Sequence, residues 1–353
     1  MKTLLTLFLL LFLFSCRQDD NEVLEKNIAS VDLYAAGAEN SKACYWKNGQ
    51  KMILPNGDGL YVQQIIAQNN NIYALGGKIS EFDNYDFSRH LYLWINGIRH
   101  NLDEYLEDVP DPSINSINYS ITMKMLVENG DIYFTGSIEN PNPTSNLDKY
   151  LICSWKNGSK TLIETSERAG FMDLKMINND LYISAPIKNL HINPATGTYT
   201  WENGFYKNSS YSAFTNDITF HGFYNDNTGI YALISDKFGK KDFKNLQTGA
   251  ILQMPNITQQ IFNYVWDGND KYYVGRDFYY KNNILIQMND PNSYNQIGLF
   301  MIKDQNIYTI RYQNNASLPG LVKVFINNVE VLSTANTSIF GSDVGGILSV
   351  YVD

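Results

Sequence analysis

The chain of 353 residues has few of the side chains that most often carry chemistry, with four His, three Cys and about six Arg. His90, His100, His191 and His221 fall in different parts of the sequence without metal-ligand spacing. Neither His-Glu-x-x-His nor paired Cys-x-x-Cys occurs, so neither a metal nor a cofactor is expected. A Gly-x-Ser-x-Gly elbow and a phosphate loop are also missing. Basic charge is in deficit, giving a formal net charge of −9. Such a surface repels phosphate backbones, which argues against a nucleic-acid partner. The one long apolar run, Leu4 to Phe14, is too short to cross roughly 30 Å of hydrocarbon and reads as a secretory signal.

The residues at the end of that run carry an address. The stretch "LFSC" (Leu13 to Cys16) resembles the lipobox of bacterial lipoproteins, which implies cleavage before Cys16 and lipidation of that residue. The next residues, "RQDDNE", with Asp19, Asp20 and Glu22, resemble the acidic export signal of surface lipoproteins of the Bacteroidota. The resemblance implies a lipid-anchored protein of the outer membrane, exposed at the cell surface. The expected division is a signal peptide over 1–15, a lipidated, acidic tether over 16–28 and a folded body over 29–353.

The body is built on two recurring phrases. The first is aromatic-x-Asn-Gly: "WKNG" at Trp46, "WING" at Trp94, "WKNG" at Trp155, "WENG" at Trp201, then "FKNLQTG" at Phe243, "YKNN" at Tyr280 and "FINN" at Phe325. The second is an Ile-Tyr strand: "NIYALG" at Asn71, "DIYFTG" at Asp131, "DLYISA" at Asp180, "GIYALI" at Gly229, "KYYVG" at Lys271, "NIYTIR" at Asn306 and "GILSVYV" at Gly346, with "DLYAAG" at Asp32 left over. Asn-Gly between apolar runs is a strong signal for a type I′ hairpin, because both central residues need positive φ. Each repeat reads as two hairpins in series, with a period of about 46 residues, between the spacings of WD40 and kelch blades. The fold class expected is therefore all-β: a single β-propeller of seven four-stranded blades, with six or eight as alternatives, closed by the N- and C-terminal strands. The tryptophans of the phrase are expected in the core between blades. Cys44 and Cys153 hold equivalent repeat positions, too far apart for a disulfide, and are expected as free thiols.

With strands named A to D outward from the axis, the A–B and C–D turns are short. The B–C and D–A connections are long and dissimilar, and in a propeller both emerge on one face, where binding residues are expected. That face is predicted to carry Phe82, Tyr85, Phe87 and Arg89 from one loop, Tyr105 from another, and Phe205, Tyr206 and Tyr211 from the fourth repeat. Aromatic faces beside hydrogen-bonding groups suit a glycan or a protein segment. A second set, Gln64, Lys124, Asp173, His221 and Asn263, shares one register of the inner strands and is expected to line the central channel.

Three functions fit this pattern: a non-catalytic binding module, a polysaccharide hydrolase or lyase, and a scaffold that docks other envelope proteins. Asp83, Asp86, Asp103, Glu104, Glu107, Asp108 and Asp111 supply carboxylates to the loop face, but a glycosidase pair leaves no local signature. The acidic cluster lacks the order of a calcium loop. "NPATGTYTW" (Asn193 to Trp201) departs from the Asp-box of sialidases, because it lacks the Asp and occurs once.

Overall fold

In the computed structural model the described residues are 31–79, 91–106, 120–121, 124–168, 173–215, 217–313, 320–336 and 346–353. They form a seven-bladed β-propeller. Blade 1 joins the two ends of the chain: Gly346–Val352 is its inner strand, with Leu33–Glu39, Lys42–Lys47 and Gln50–Asp58 in order outward. Blade 2 comprises Leu60–Gln68, Asn71–Lys78, Leu91–Ile95 and Ile98–Asn101. Blade 3 has a broken inner strand (Ser120–Ile121 and Leu126–Glu128), then Asp131–Glu139, Tyr150–Lys156 and Ser159–Ser166. Blade 4 comprises Leu174–Ile177, Asp180–Ser184, Gly204–Lys207 and Ser210–Ala213. Blade 5 comprises Thr219–Asp226, Gly229–Ser235, Lys241–Asn245 and Ile251–Gln253. Blade 6 comprises Asn263–Asp267, Asp270–Val274, Phe278–Lys281 and Ile284–Gln287. Blade 7 comprises Gln296–Lys303, Asn306–Tyr312, Gly320–Ile326 and Val329–Asn336.

The leftover phrase is resolved by the closing blade. "DLYAAG" supplies its second strand, whereas "GILSVYV" is an inner strand that pairs antiparallel with it, Leu33 opposite Val352. At the seam Gly37 lies so close to the Gly346 carbonyl that a Cβ there would overlap it. Both described ends reach the short-turn face, where the Asp353 amide donates to the Asp32 carbonyl at 3.1 Å.

The two phrases recur because they hold each other. In blades 1, 2, 3, 4, 6 and 7 the C–D turn places Asn48, Asn96, Asn157, Asn208, Asn282 or Asn327 at φ of 45–51°. Each of these asparagines accepts, through Oδ1, the amide of the residue before the Tyr-position of the second strand (Leu33, Ile72, Ile132, Leu181, Lys271, Ile307) at 2.8–2.9 Å. Through Nδ2 each donates to the side chain one position earlier (Asp32, Asn71, Asp131, Asp180, Asp270, Asn306) at 2.5–2.9 Å. The backbone adds a third bond, from the asparagine N–H to the carbonyl of that same strand residue. Charge keeps the same register. Where the acceptor is Asp, the residue before the asparagine is Lys, and the pairs Lys47–Asp32, Lys156–Asp131, Lys207–Asp180 and Lys281–Asp270 lie at 2.6–3.0 Å. Where it is Asn71 or Asn306, the equivalent position is Ile95 or Ile326. Lys47 first and Asn48 second hold the Asp32 carboxyl below its ordinary range. Blade 5 replaces the clamp by a longer turn through Asn245 and Gly249.

The phrase aromatics pack between blades. Trp46 lies with blade 7 residues such as Tyr308 and Val324, Trp94 with Tyr34 and Leu54 of blade 1, and Trp155 with Leu75 and Leu93 of blade 2. Trp94 also donates from Nε1 to the Pro55 carbonyl at 3.0 Å. Cys44 and Cys153 are buried free thiols, and burial pushes the Cys44 thiol up to about 12.

Trp201 is the exception and corrects the expectation for the fourth repeat. It lies half-buried on a separate ribbon, Lys188–Ile192 paired with Tyr199–Glu202, inserted in the B–C connection of blade 4. The true C–D turn of that blade is Asn208-Ser209, both at positive φ. Its third-strand aromatic is Tyr206, which packs with Ile152 of blade 3.

The clamp leads to a stability prediction. Asn157→Ala removes two side-chain hydrogen bonds and puts a Cβ residue without local polar compensation at positive φ, so a loss of about 2–3 kcal/mol is expected. Asn157→Gly tolerates the conformation and should lose about half as much. Urea unfolding of both variants beside the parent measures the difference, and equal midpoints for all three would remove the clamp as a stabilising element.

Candidate functional site

Four of the residues predicted on the loop face, Phe82, Tyr85, Phe87 and Arg89, lie outside the described residues, as does Cys16. The other four are placed. Tyr105 ends a short helix, α1 (Leu102–Tyr105), and its half-buried ring packs on the blade 2 and 3 core, where burial raises its phenol pKa. Phe205 and Tyr206 are not on a loop. Both are buried in the third strand of blade 4, because the turn sits at Asn208 and not at Asn203. Phe205 stacks with Tyr182 and meets Phe214 and Phe223. Tyr206 faces Tyr211 at 5.4 Å between ring centres.

Tyr211 belongs to a group that anchors the inserted ribbon. Its hydroxyl donates to Glu202 Oε1 at 2.9 Å, and the Lys188 ammonium lies 3.8 Å from its ring centre while pairing with Glu164. Burial first, and the hydrogen bond to Glu202 second, raise the Tyr211 phenol. A phenol so held stays protonated at neutral pH, and the two carboxylates are turned to intramolecular partners. The group fastens blade 4 to blade 3.

The inner-strand set divides in two. Gln64 grips the next blade, its amide donating to the Met125 carbonyl and accepting from the Met125 N–H, both at 2.6 Å. Lys124 of blade 3 pairs with Asp173, just before the inner strand of blade 4, at 2.7 Å. Register counting missed two members of this series. Ser349 Oγ of blade 1 accepts from the Ile65 amide at 3.3 Å, and the Lys175 ammonium of blade 4 donates to the Phe223 carbonyl of blade 5 at 3.3 Å. Successive inner strands from blade 1 to blade 5 are thus stapled by polar side chains. His221 and Asn263 are not brought to this set: His221 Nε2 meets Ser235 Oγ at 2.7 Å, and Asn263 Oδ1 accepts from the Tyr264 amide.

An open cleft of about 600 Å³ on the loop face has no counterpart among the sequence motifs. One wall is the B–C connection of blade 5 and the start of its third strand, Gly239 to Asp242; the other is the D–A connection into blade 6, Met254 to Ile261, ending at Tyr264. The first wall is a self-tied tip. Asp236 Oδ1 accepts from the amides of Phe238 and Lys240, both at 2.9 Å, and Gly239 takes φ of 80°. The walls are joined where Asp242 Oδ1 accepts from the Met254 amide at 3.2 Å. Asn256, Gln259 and Gln260 offer amide groups, with Gln259 Oε1 taking the Tyr280 hydroxyl at 2.7 Å. Phe238 and Phe262, the sequence neighbours of the lining residues Gly239 and Ile261, are 85% and 60% exposed, fractions that leave much of each ring open to solvent. Lys241 stands between the cleft and His221: its ammonium lies 5.4 Å from the Tyr264 ring centre, and it adds to burial in lowering the His221 pKa.

Among the described residues no group of His, Cys, Asp and Glu has the geometry to hold a metal, and no helix is long and apolar enough to cross a membrane.

Lys175 supplies a pH test of the channel wall. Burial, then the neighbouring Lys124, lowers its pKa to about 8 against the opposing pull of Asp173. Between about 8 and 10.5 the unfolded chain binds the extra proton, so stability rises with pH across that window. Lys175→Met should therefore stabilise the protein at pH 7, by on the order of 1 kcal/mol, and lose that advantage by pH 10. Denaturant midpoints at both pH values check this; a destabilised variant at pH 7 would show that the bond to Phe223 outweighs burial.

No protein-family model and no curated protein matches the sequence. Solved structures of similar shape include apo AztD from Citrobacter koseri (TM-score 0.42, 9% identity, covering 91% of this chain and 98% of that one). The extracellular domain of a hybrid two-component system from B. thetaiotaomicron matches with TM-score 0.40 and 12% identity, over 84% of this chain and 40% of that one. An acylaminoacyl peptidase from Pyrococcus horikoshii matches with TM-score 0.41 and 12% identity, over 83% and 48%. None of these identities reaches a level at which site residues could be carried across.

Proposed function

We propose that the protein is a non-catalytic binding module for glycans, carried on the outer face of the outer membrane by a lipid at Cys16. The observation that supports binding is the loop-face cleft, where amide-bearing walls lie beside the exposed rings of Phe238 and Phe262. A sugar ring presents an apolar face edged by hydroxyls, and such a site meets both with stacking surfaces and oriented hydrogen bonds. The rings lie on connections, so a ligand can approach them without disturbing the strands. The anchor rests on the "LFSC" and "RQDDNE" stretches.

A glycan-array screen of the full chain, with each hit checked for product release, tests the reading. Saturable binding of intact ligand is expected, and Phe238→Ala or Phe262→Ala should each weaken it about tenfold. Released product would turn the assignment to a hydrolase or lyase, and binding only to proteins would turn it to a scaffold. The anchor is tested separately. Cys16→Ala should move the protein from the membrane fraction to the soluble envelope fraction, and an unchanged distribution would remove the lipid from the account.

A further inference from the structure

The cleft has a charge character opposite to that of the chain as a whole. The chain as a whole carries −9, yet one wall and its flank hold Lys237, Lys240, Lys241 and Lys244 within a single hairpin. The two acids of that hairpin are already engaged. Asp236 Oδ1 accepts backbone amides, and Asp242 accepts from Met254 through Oδ1 and pairs with Lys240 through Oδ2 at 3.1 Å. The facing wall, Met254 to Phe262, contains no carboxylate.

Most of the described lysines elsewhere are matched to acids, as Lys47, Lys156, Lys207, Lys271 and Lys281 show. In this hairpin Lys237, Lys241 and Lys244 instead lie against the rings of Phe238, Tyr264 and Phe214 at 5.4–5.5 Å, with no carboxylate within ion-pair distance among the described residues. Lys240, whose side chain is 62% exposed, shares its one acid with a backbone amide. Positive charge is therefore left uncompensated beside two exposed aromatic rings and a wall of amides. Lysine ammonium groups at a partly screened rim attract an anionic ligand and set its orientation.

We infer that the cleft binds an acidic glycan, with Lys240 and Lys241 meeting its carboxylate or sulfate groups and Phe238 and Phe262 meeting its ring faces. This rests on the glycan-binding reading above and specifies the ligand class. An acidic peptide shares the charge but lacks ring faces edged by hydroxyls, so the aromatic pair and the amides favour the sugar.

The test is calorimetric titration of the full chain with polygalacturonate, dextran sulfate, neutral dextran and poly-glutamate, at low and at physiological salt. At least one acidic glycan is expected to bind ten times or more tighter than dextran, and less tightly as salt rises. The double variant Lys240→Gln, Lys241→Gln should bring that affinity down to the dextran level, with an unchanged urea midpoint showing that it folds. Phe238→Ala should weaken acidic glycan and dextran alike. Equal binding of dextran and the acidic glycans, or acidic-glycan binding that the double variant leaves intact, would overturn the charge assignment while loop-face glycan binding stands. Poly-glutamate bound as tightly as the acidic glycans would overturn the choice of a sugar, and failure of every glycan would overturn both readings.

Discussion

The propeller depends on one side chain used six times, the asparagine of the outer turn. Its positive φ makes the hairpin, and its amide reaches over to the adjacent second strand and holds the start of it. Local turn formation and blade assembly are thereby coupled, because the residue that turns the chain also fixes the register of its neighbours. The matching of Lys with Asp, and of Ile with Asn, keeps each clamp electrically balanced within its own blade. Exposed pairs of this kind add little energy. Their effect is on register, since a slipped pairing would part each Lys from its Asp.

Ring closure has a different requirement. Six blades are continuous in sequence, but blade 1 must bring together segments from opposite ends of the chain. The seam demands a residue without a side chain at Gly37, where the strands approach too closely for a Cβ. Packing then completes it, with Trp46 and Cys44 buried against blade 7 as Trp94 is against blade 1.

Much of this was legible because the turns are written in residue types that tolerate positive φ. The Asn-Gly phrases located the outer hairpins of blades 1, 2 and 3, and the spacing led to seven repeats. The fourth repeat misled because "WENG" copies the phrase while Asn203 and Gly204 run on into a strand, and the nearby Asn208-Ser209 makes the turn. That one displaced hairpin put Phe205 and Tyr206 on a loop when they are core. Among the inner-strand residues, the Lys124–Asp173 contact came from register alone, whereas His221 found a partner inside its own blade. The cleft was hidden because its walls come from two connections with no motif. The signal that could have found it is "KFGKK", a basic run around an exposed aromatic and a turn glycine in an acidic chain.

The position of the chain ends has a consequence for geometry at a surface. Asp32 is bonded into the outer turn of blade 1, so the polypeptide enters the disc on the side of the short turns. The connections that form the cleft emerge on the other side. In the lipid-anchored reading proposed above, the chain would therefore join the disc on the face away from the cleft, and a ligand entering the cleft would not have to pass the point of attachment.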